Sequence, residues 1–157
     1  MNKAMVIYFS AEGNTAKVAK ELAEQVGCEV FEIRPENPYT AADINWKNPL
    51  ARCNKEKIGR KDIPIAEMPD ISAETVFIGF PIWYAGAPNI IHTFIKNIDW
   101  SGKKIALFAT SGGSNIGRTA DKLTPLLGGK GEITASKLFR PNTSKEDLKN
   151  WAASVMG

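Results

Sequence analysis

Three short apolar runs, residues 4–9, 75–80 and 104–109, constrain this chain more than anything else in it. Each has the length of a strand, and none alternates apolar with polar residues as a strand with one wet face does. Such strands are covered on both faces, the situation of parallel strands flanked by helices. Two shorter candidates, residues 29–33 and 132–136, bring the set to five. Helical patterns lie between them. Val18, Leu22 and Val26 recur every four residues, and Pro88 stands where a first helical position is expected, before Ile91, Phe94, Ile95 and Ile98. Ser144-Lys-Glu-Asp147 has the form of a capping box, ahead of Leu148, Trp151, Ala152 and Val155 on one face. This alternation predicts an α/β fold, a right-handed, doubly wound sheet with helices on both faces. Residues 34–72, with prolines at 35, 38, 49, 64 and 69, break the rhythm; a helix is expected there over residues 41–57.

With 157 residues the chain is expected to form one domain over residues 1–157, and a chain of that size buries roughly 70% of its unfolded surface. No apolar run approaches the ~18 residues of a membrane span. The first ten residues carry one lysine and lack a signal-type apolar stretch of proper length, so the expected address is cytoplasmic. Cys28 and Cys53 are too few for a disulfide framework, and neither sits in a C-x-x-C pair, so both are expected as reduced thiols. With His92 the only histidine and no His/Cys cluster in the sequence, no transition-metal site is expected. His92 is expected to be structural or exposed, and Trp46, Trp100 and Trp151 to serve packing. The net charge of +3 is modest, but Lys47, Arg52, Lys55, Lys57, Arg60 and Lys61 face only Glu56 across one segment. A solvated helix face is the expected reading; nucleic-acid binding would want interleaved aromatics, and only Trp46 is near.

In an open α/β sheet the ligand lies outside the carboxyl ends of the strands, so the loops after the three apolar runs carry the chemistry. The first is Ser10-Ala11-Glu12-Gly13-Asn14-Thr15, a polar turn opening a helix. Such a turn aims unpaired backbone N–H groups and the positive end of the helix dipole at one point, where an anion can sit. Ser10, Asn14 and Thr15 add side-chain donors, and Gly13 permits close backbone approach. No lysine is present, which excludes a Walker A loop, and the spacing is not G-x-G-x-x-G. An ordinary capped helix start remains open from this segment alone. The second loop, Pro81-Ile82-Trp83-Tyr84-Ala85-Gly86, sets two aromatics where the core cannot easily use both, which points to a flat ligand. The third, Ser111-Gly112-Gly113-Ser114, offers bare amides to the polar edge of a heteroaromatic ring.

With these three loops in this order, nearly the whole chain resembles the flavodoxin family of small FMN-binding electron carriers. The resemblance implies strand order 2-1-3-4-5. It implies that Ser10, Ala11, Glu12, Gly13, Asn14 and Thr15 wrap the FMN phosphate. Pro81, Ile82, Trp83, Tyr84 and Gly86 would lie against the isoalloxazine, and Ser111, Gly112, Gly113 and Ser114 would reach its pyrimidine side. Gly86, or another small residue of its loop, would let a carbonyl turn toward flavin N5. Two features depart from the pattern. Glu12 stands where the family has a threonine, and its carboxylate is expected to face solvent while its N–H still contributes. The basic balance also gives no acidic docking face. The expected function is electron transfer between redox protein partners, by a monomer or weak homodimer, without nucleic-acid or membrane binding. Two rivals stand beside it: an FMN-dependent NAD(P)H:quinone-type oxidoreductase on the same fold, and a module that binds no flavin.

Overall fold

The computed structural model describes residues 3–11, 13–45, 47–48, 50–59, 62–83, 86–111, 116, 119–140 and 142–156. Five parallel strands form one sheet in the order β2-β1-β3-β4-β5: β1 (Ala4–Tyr8), β2 (Glu29–Glu32), β3 (Thr75–Pro81), β4 (Lys104–Thr110) and β5 (Glu132–Phe139). The strand order and parallel sense are those expected. Helices α1 (Asn14–Val26), α2 (Arg52–Gly59), α3 (Asn89–Lys96), α4 (Thr119–Leu123) and α5 (Lys145–Met156) follow the strands, with a 3-10 turn over Thr124–Leu127.

The unbroken apolar runs are central strands with both faces covered, and successive side chains divide between two cores. Ala4, Val6 and Tyr8 of β1 join Phe77 and Phe108 beneath α1 and α5, whereas Met5 and Ile7, with Phe9 beyond the strand, join Ile78, Phe80 and Leu107 beneath α3. Trp100 and Trp151 pack as expected. Trp100 is wholly buried and its Nε1–H donates to the Ile95 carbonyl at 2.8 Å; the Trp151 ring meets Phe77, Phe108 and Phe139 edge-on. No helix among the described residues is long and apolar enough to cross a membrane.

Three local expectations need correction. Pro88 is the N-cap of α3 rather than its first helical residue, with ψ 153°; its fixed φ suits either place, and the following Asn89 begins the helix. β5 runs three residues past its expected end, because Lys137, Leu138 and Phe139 stay paired with Phe108, Ala109 and Thr110. The helix expected over residues 41–57 is instead a turn at 41–44 followed, eight residues on, by α2. The turn is closed reciprocally, the Thr40 N–H donating to Asp43 Oδ2 at 3.0 Å and the Asp43 N–H to Thr40 Oγ1 at 3.2 Å. Pro49 in the sequence then denies a continuous helix its amide and disfavours helical geometry before it. The Ser144 cap is as expected: its Oγ accepts the Asp147 N–H at 3.2 Å.

Candidate functional site

The winding of the sheet reverses between β1 and β3, and the strand ends there are tied edge to edge. The Phe9 N–H donates to the Gly79 carbonyl (3.0 Å), the Ile82 N–H to the Thr110 carbonyl (3.1 Å), and the Ser111 N–H to the Phe139 carbonyl (3.3 Å). The three loops singled out in the sequence therefore leave one carboxyl edge, where a doubly wound sheet places its ligand.

The first loop, expected as an anion cradle, leads directly into α1. Ser10 Oγ accepts the Gly13 N–H at 3.0 Å, and having accepted it keeps its own proton to donate. Gly13 caps α1 in the left-handed region, φ 95° and ψ −13°. A Cβ there would meet nothing within 4 Å, so backbone conformation, not space, requires the glycine. Among the described residues no side chain caps the helix, and its first turn holds no acidic residue. The amides of Asn14, Thr15 and Ala16 have no carbonyl partner within the helix, and the dipole adds positive potential beside them.

Thr15 departs from the expected arrangement in one respect. Its hydroxyl lies 2.7 Å from the Thr110 hydroxyl, with Thr15 1% and Thr110 3% exposed. The cradle and the end of β4 are thus joined by a buried side-chain bond.

In the second loop, Trp83 and Gly86 exchange backbone hydrogen bonds, Trp83 N–H to Gly86 carbonyl at 2.8 Å and Gly86 N–H to Trp83 carbonyl at 3.1 Å. The Gly86 carbonyl is therefore engaged by the Trp83 amide. Pro81 and Ile82 are partly buried where β3 ends. The Trp83 ring is partly buried, edge-on to Phe9 at 5.6 Å and to Tyr39 at 5.5 Å, while Phe9 and Tyr39 lie 5.8 Å apart. Trp83 is held in a three-ring cluster that abuts the cradle through Phe9, the residue before Ser10.

Tyr39 and Phe9 were not among the residues the sequence singled out. Tyr39 Oη donates to Glu56 Oε1, and the Arg52 guanidinium lies 4.0 Å above the Tyr39 ring. Arg52 Nε also donates to Glu56 Oε2 at 3.0 Å and its Nη1 to the Asn37 carbonyl at 2.7 Å. Arg52 therefore departs from the solvated face expected of the basic run, and ties α2 down behind Trp83. Asn89 Nδ2 completes the brace by donating to the Glu56 carbonyl at 2.8 Å.

Burial, followed by the hydrogen bond to Glu56, holds the Tyr39 phenol well above its ordinary pKa of 10.0. The raised value means that its contribution to stability is whole below pH 10 and is lost as pH rises above it, where the unfolded chain gives up the proton and the folded one keeps it. Above pH 10, stability is expected to fall more steeply in the wild type than in Tyr39→Phe, by up to about 1.4 kcal/mol per pH unit. Urea titrations of both proteins across that range check this; parallel curves would refute it. Burial, then Glu32, raises Tyr8 in the same direction, so a residual slope remains in the variant.

Ser111 is partly buried at the exit from β4. Glu12, Tyr84, Gly112, Gly113 and Ser114 lie outside the described residues. Burial pushes the Cys28 thiol up, the reverse of an activated thiolate.

A family model described as flavodoxin matches residues 3–155. Among solved structures, a provisionally assigned flavoprotein from Bacteroides eggerthii DSM 20697 is 34% identical, over 100% of this chain and 99% of that one, with TM-score 0.90. Another from Bacteroides uniformis ATCC 8492 is 36% identical, over 97% and 98%, with TM-score 0.88. A flavoprotein from Lactobacillus acidophilus NCFM, solved in complex with FMN, is 21% identical over 97% and 99%, with TM-score 0.68, a likeness of fold. Among curated proteins none matches the chain.

Proposed function

The chain belongs to the flavodoxin family, and on that premise we propose that it binds FMN at the carboxyl edge of its sheet and passes electrons between redox protein partners. The observation that carries this reading is the pairing of an uncapped, acid-free first turn of α1 with a braced tryptophan one loop away. An anionic group and a flat ring can be held together there, which is the chemistry of FMN's two ends. The amides of Asn14, Thr15 and Ala16 and the Ser10 hydroxyl would hold the phosphate, and Trp83 would lie against the ring. When bound, the flavin supplies one- and two-electron chemistry. The chain's part is to grip the phosphate, orient the ring and exclude water from one side of it.

The test is one titration. Purified protein is mixed with FMN, the flavin fluorescence is followed, and the visible spectrum is then recorded during stepwise reduction. Stoichiometric quenching, with no oxidation of added NAD(P)H until a reductase is supplied, is the expected result. Steady NAD(P)H oxidation by the holoprotein alone would make it an oxidoreductase, and a failure to quench FMN would overturn the flavin reading.

A further inference from the structure

We propose that Thr110 is a positioning residue for the phosphate end of this site, one that orients the Thr15 hydroxyl so that Thr15 can donate its proton to a bound phosphate. The inference rests on the FMN reading and goes beyond it, because Thr110 lies at the end of β4, outside the phosphate loop.

Two hydroxyls 2.7 Å apart carry two protons and use one between them. Both side chains are nearly wholly buried, and among the described residues neither has another hydrogen-bond partner. The second proton of the pair thus has no acceptor among the described residues, and a buried polar hydrogen without an acceptor is costly. Which hydroxyl donates decides where that proton goes. If Thr15 donated, its oxygen lone pairs would be left facing the positive end of α1, where an anion is to sit. If Thr110 donates, the Thr15 proton is free to complete a chain from Thr110 through Thr15 to the anion, in which each bond polarises the next. A negative charge at the head of α1 selects the second arrangement.

Thr110 is well placed to hold this orientation. Its carbonyl accepts the Ile82 N–H at 3.1 Å, and its backbone is paired with Pro81 on one side and Phe139 on the other. Because it sits between the ring-side loop that begins at Ile82 and the loop that begins at Ser111, the residue also makes the phosphate grip depend on how those two loops are seated.

The test uses two ligands that differ only at the phosphate. Dissociation constants for FMN and for riboflavin are measured by fluorescence quenching in the wild type, Thr110→Val, Thr110→Ala, Thr110→Ser, Thr15→Val and the double variant Thr15→Val/Thr110→Val. Loss of the hydroxyl in Thr110→Val or Thr110→Ala is expected to weaken FMN roughly tenfold or more, the scale of a hydrogen bond to a charged group. Riboflavin affinity is expected to stay within about twofold, since the ring contacts are untouched. Thr110→Ser should restore FMN affinity, and the double variant should be no weaker than Thr15→Val alone. Equal weakening of FMN and riboflavin, or no rescue by serine, would assign Thr110 a merely structural role and overturn the proposal. A wild type that binds FMN no more tightly than riboflavin would overturn the phosphate reading itself, and this inference with it.

Discussion

Replacing Gly79 with alanine is expected to cost about 3 kcal/mol or more of folding stability, at the upper end of what overpacking does. A Cβ built on Gly79 falls 2.1, 2.3 and 2.8 Å from three atoms of the Phe108 ring. Contacts under 3 Å between carbons are repulsive, and the ring has nowhere to retreat. Phe108 is wholly buried, packed in one core with Phe77 and facing Trp151 at 6.4 Å. Gly79 lies directly across from Phe108 in the β3–β4 pairing, so relieving the clash by backbone movement would strain the middle of the sheet. In a protein of this size each kcal/mol lowers the melting temperature by about 2–4 °C, so a fall of roughly 6–12 °C is expected. The companion variant Phe108→Leu identifies the cause: combined with Gly79→Ala it should lose much less than the two separate losses added together. Urea midpoints of the four proteins decide the matter, and a Gly79→Ala protein within about 0.5 kcal/mol of wild type would refute it. The damage should also reach the site, because the Gly79 carbonyl holds the Phe9 amide immediately ahead of Ser10.

That the glycine of an apolar run makes room for a ring on the next strand was not legible in the sequence. The run itself was. β1, β3 and β4 stand at the centre of the sheet, buried on both faces, and a strand with two dry faces writes itself as an unbroken apolar stretch. The edge strand β5 outruns its sequence pattern because Ser136 and Lys137 both meet water, and consecutive polar residues read as an end at Ser136. Residues 34–72 depart from their sequence pattern for a related reason. Their order comes from contacts between residues far apart in the chain, Tyr39 with Glu56, Ile63 with Thr93 and Lys103 with the Ile71 carbonyl, and no local period records such contacts.

The same division runs through the site. The Ser10 to Gly13 bond spans three residues, and the glycine cap and helix start beside it are local chemistry with a local signature. The Thr15–Thr110 pair spans 95 residues. Thr110 was visible only as the residue before a small polar loop, and its role depends on a neighbour that the strand order brings beside it. Tyr39 is similar: in a proline-rich segment it gave no sign that it stands behind Trp83.

Trp83→Ala is expected to be the most damaging single change to flavin binding, and it should act on the ring and not on the phosphate. A flat ring stacked on an aromatic side chain is worth roughly 1–3 kcal/mol. At about 1.4 kcal/mol per factor of ten, the FMN dissociation constant should rise about 5- to 140-fold. Riboflavin should suffer by the same factor, which separates this variant from those at Thr110. Trp83→Phe, which keeps a ring, should fall between the two. The apoprotein should lose stability as well, about 1–3 kcal/mol, since Trp83 meets Phe9 and Tyr39 edge-on and each such pair adds about 0.5–1.5 kcal/mol beyond the area it buries. An apolar indole against the ring disfavours negative charge there, so its removal should also raise the potential at which the second electron is accepted. Fluorescence titrations with both flavins and a spectroelectrochemical titration of the holoprotein measure these effects. Affinities within about twofold of wild type for both flavins would mean that the cluster holds Trp83 for the sake of the fold alone, with the ligand's ring lying elsewhere on the edge.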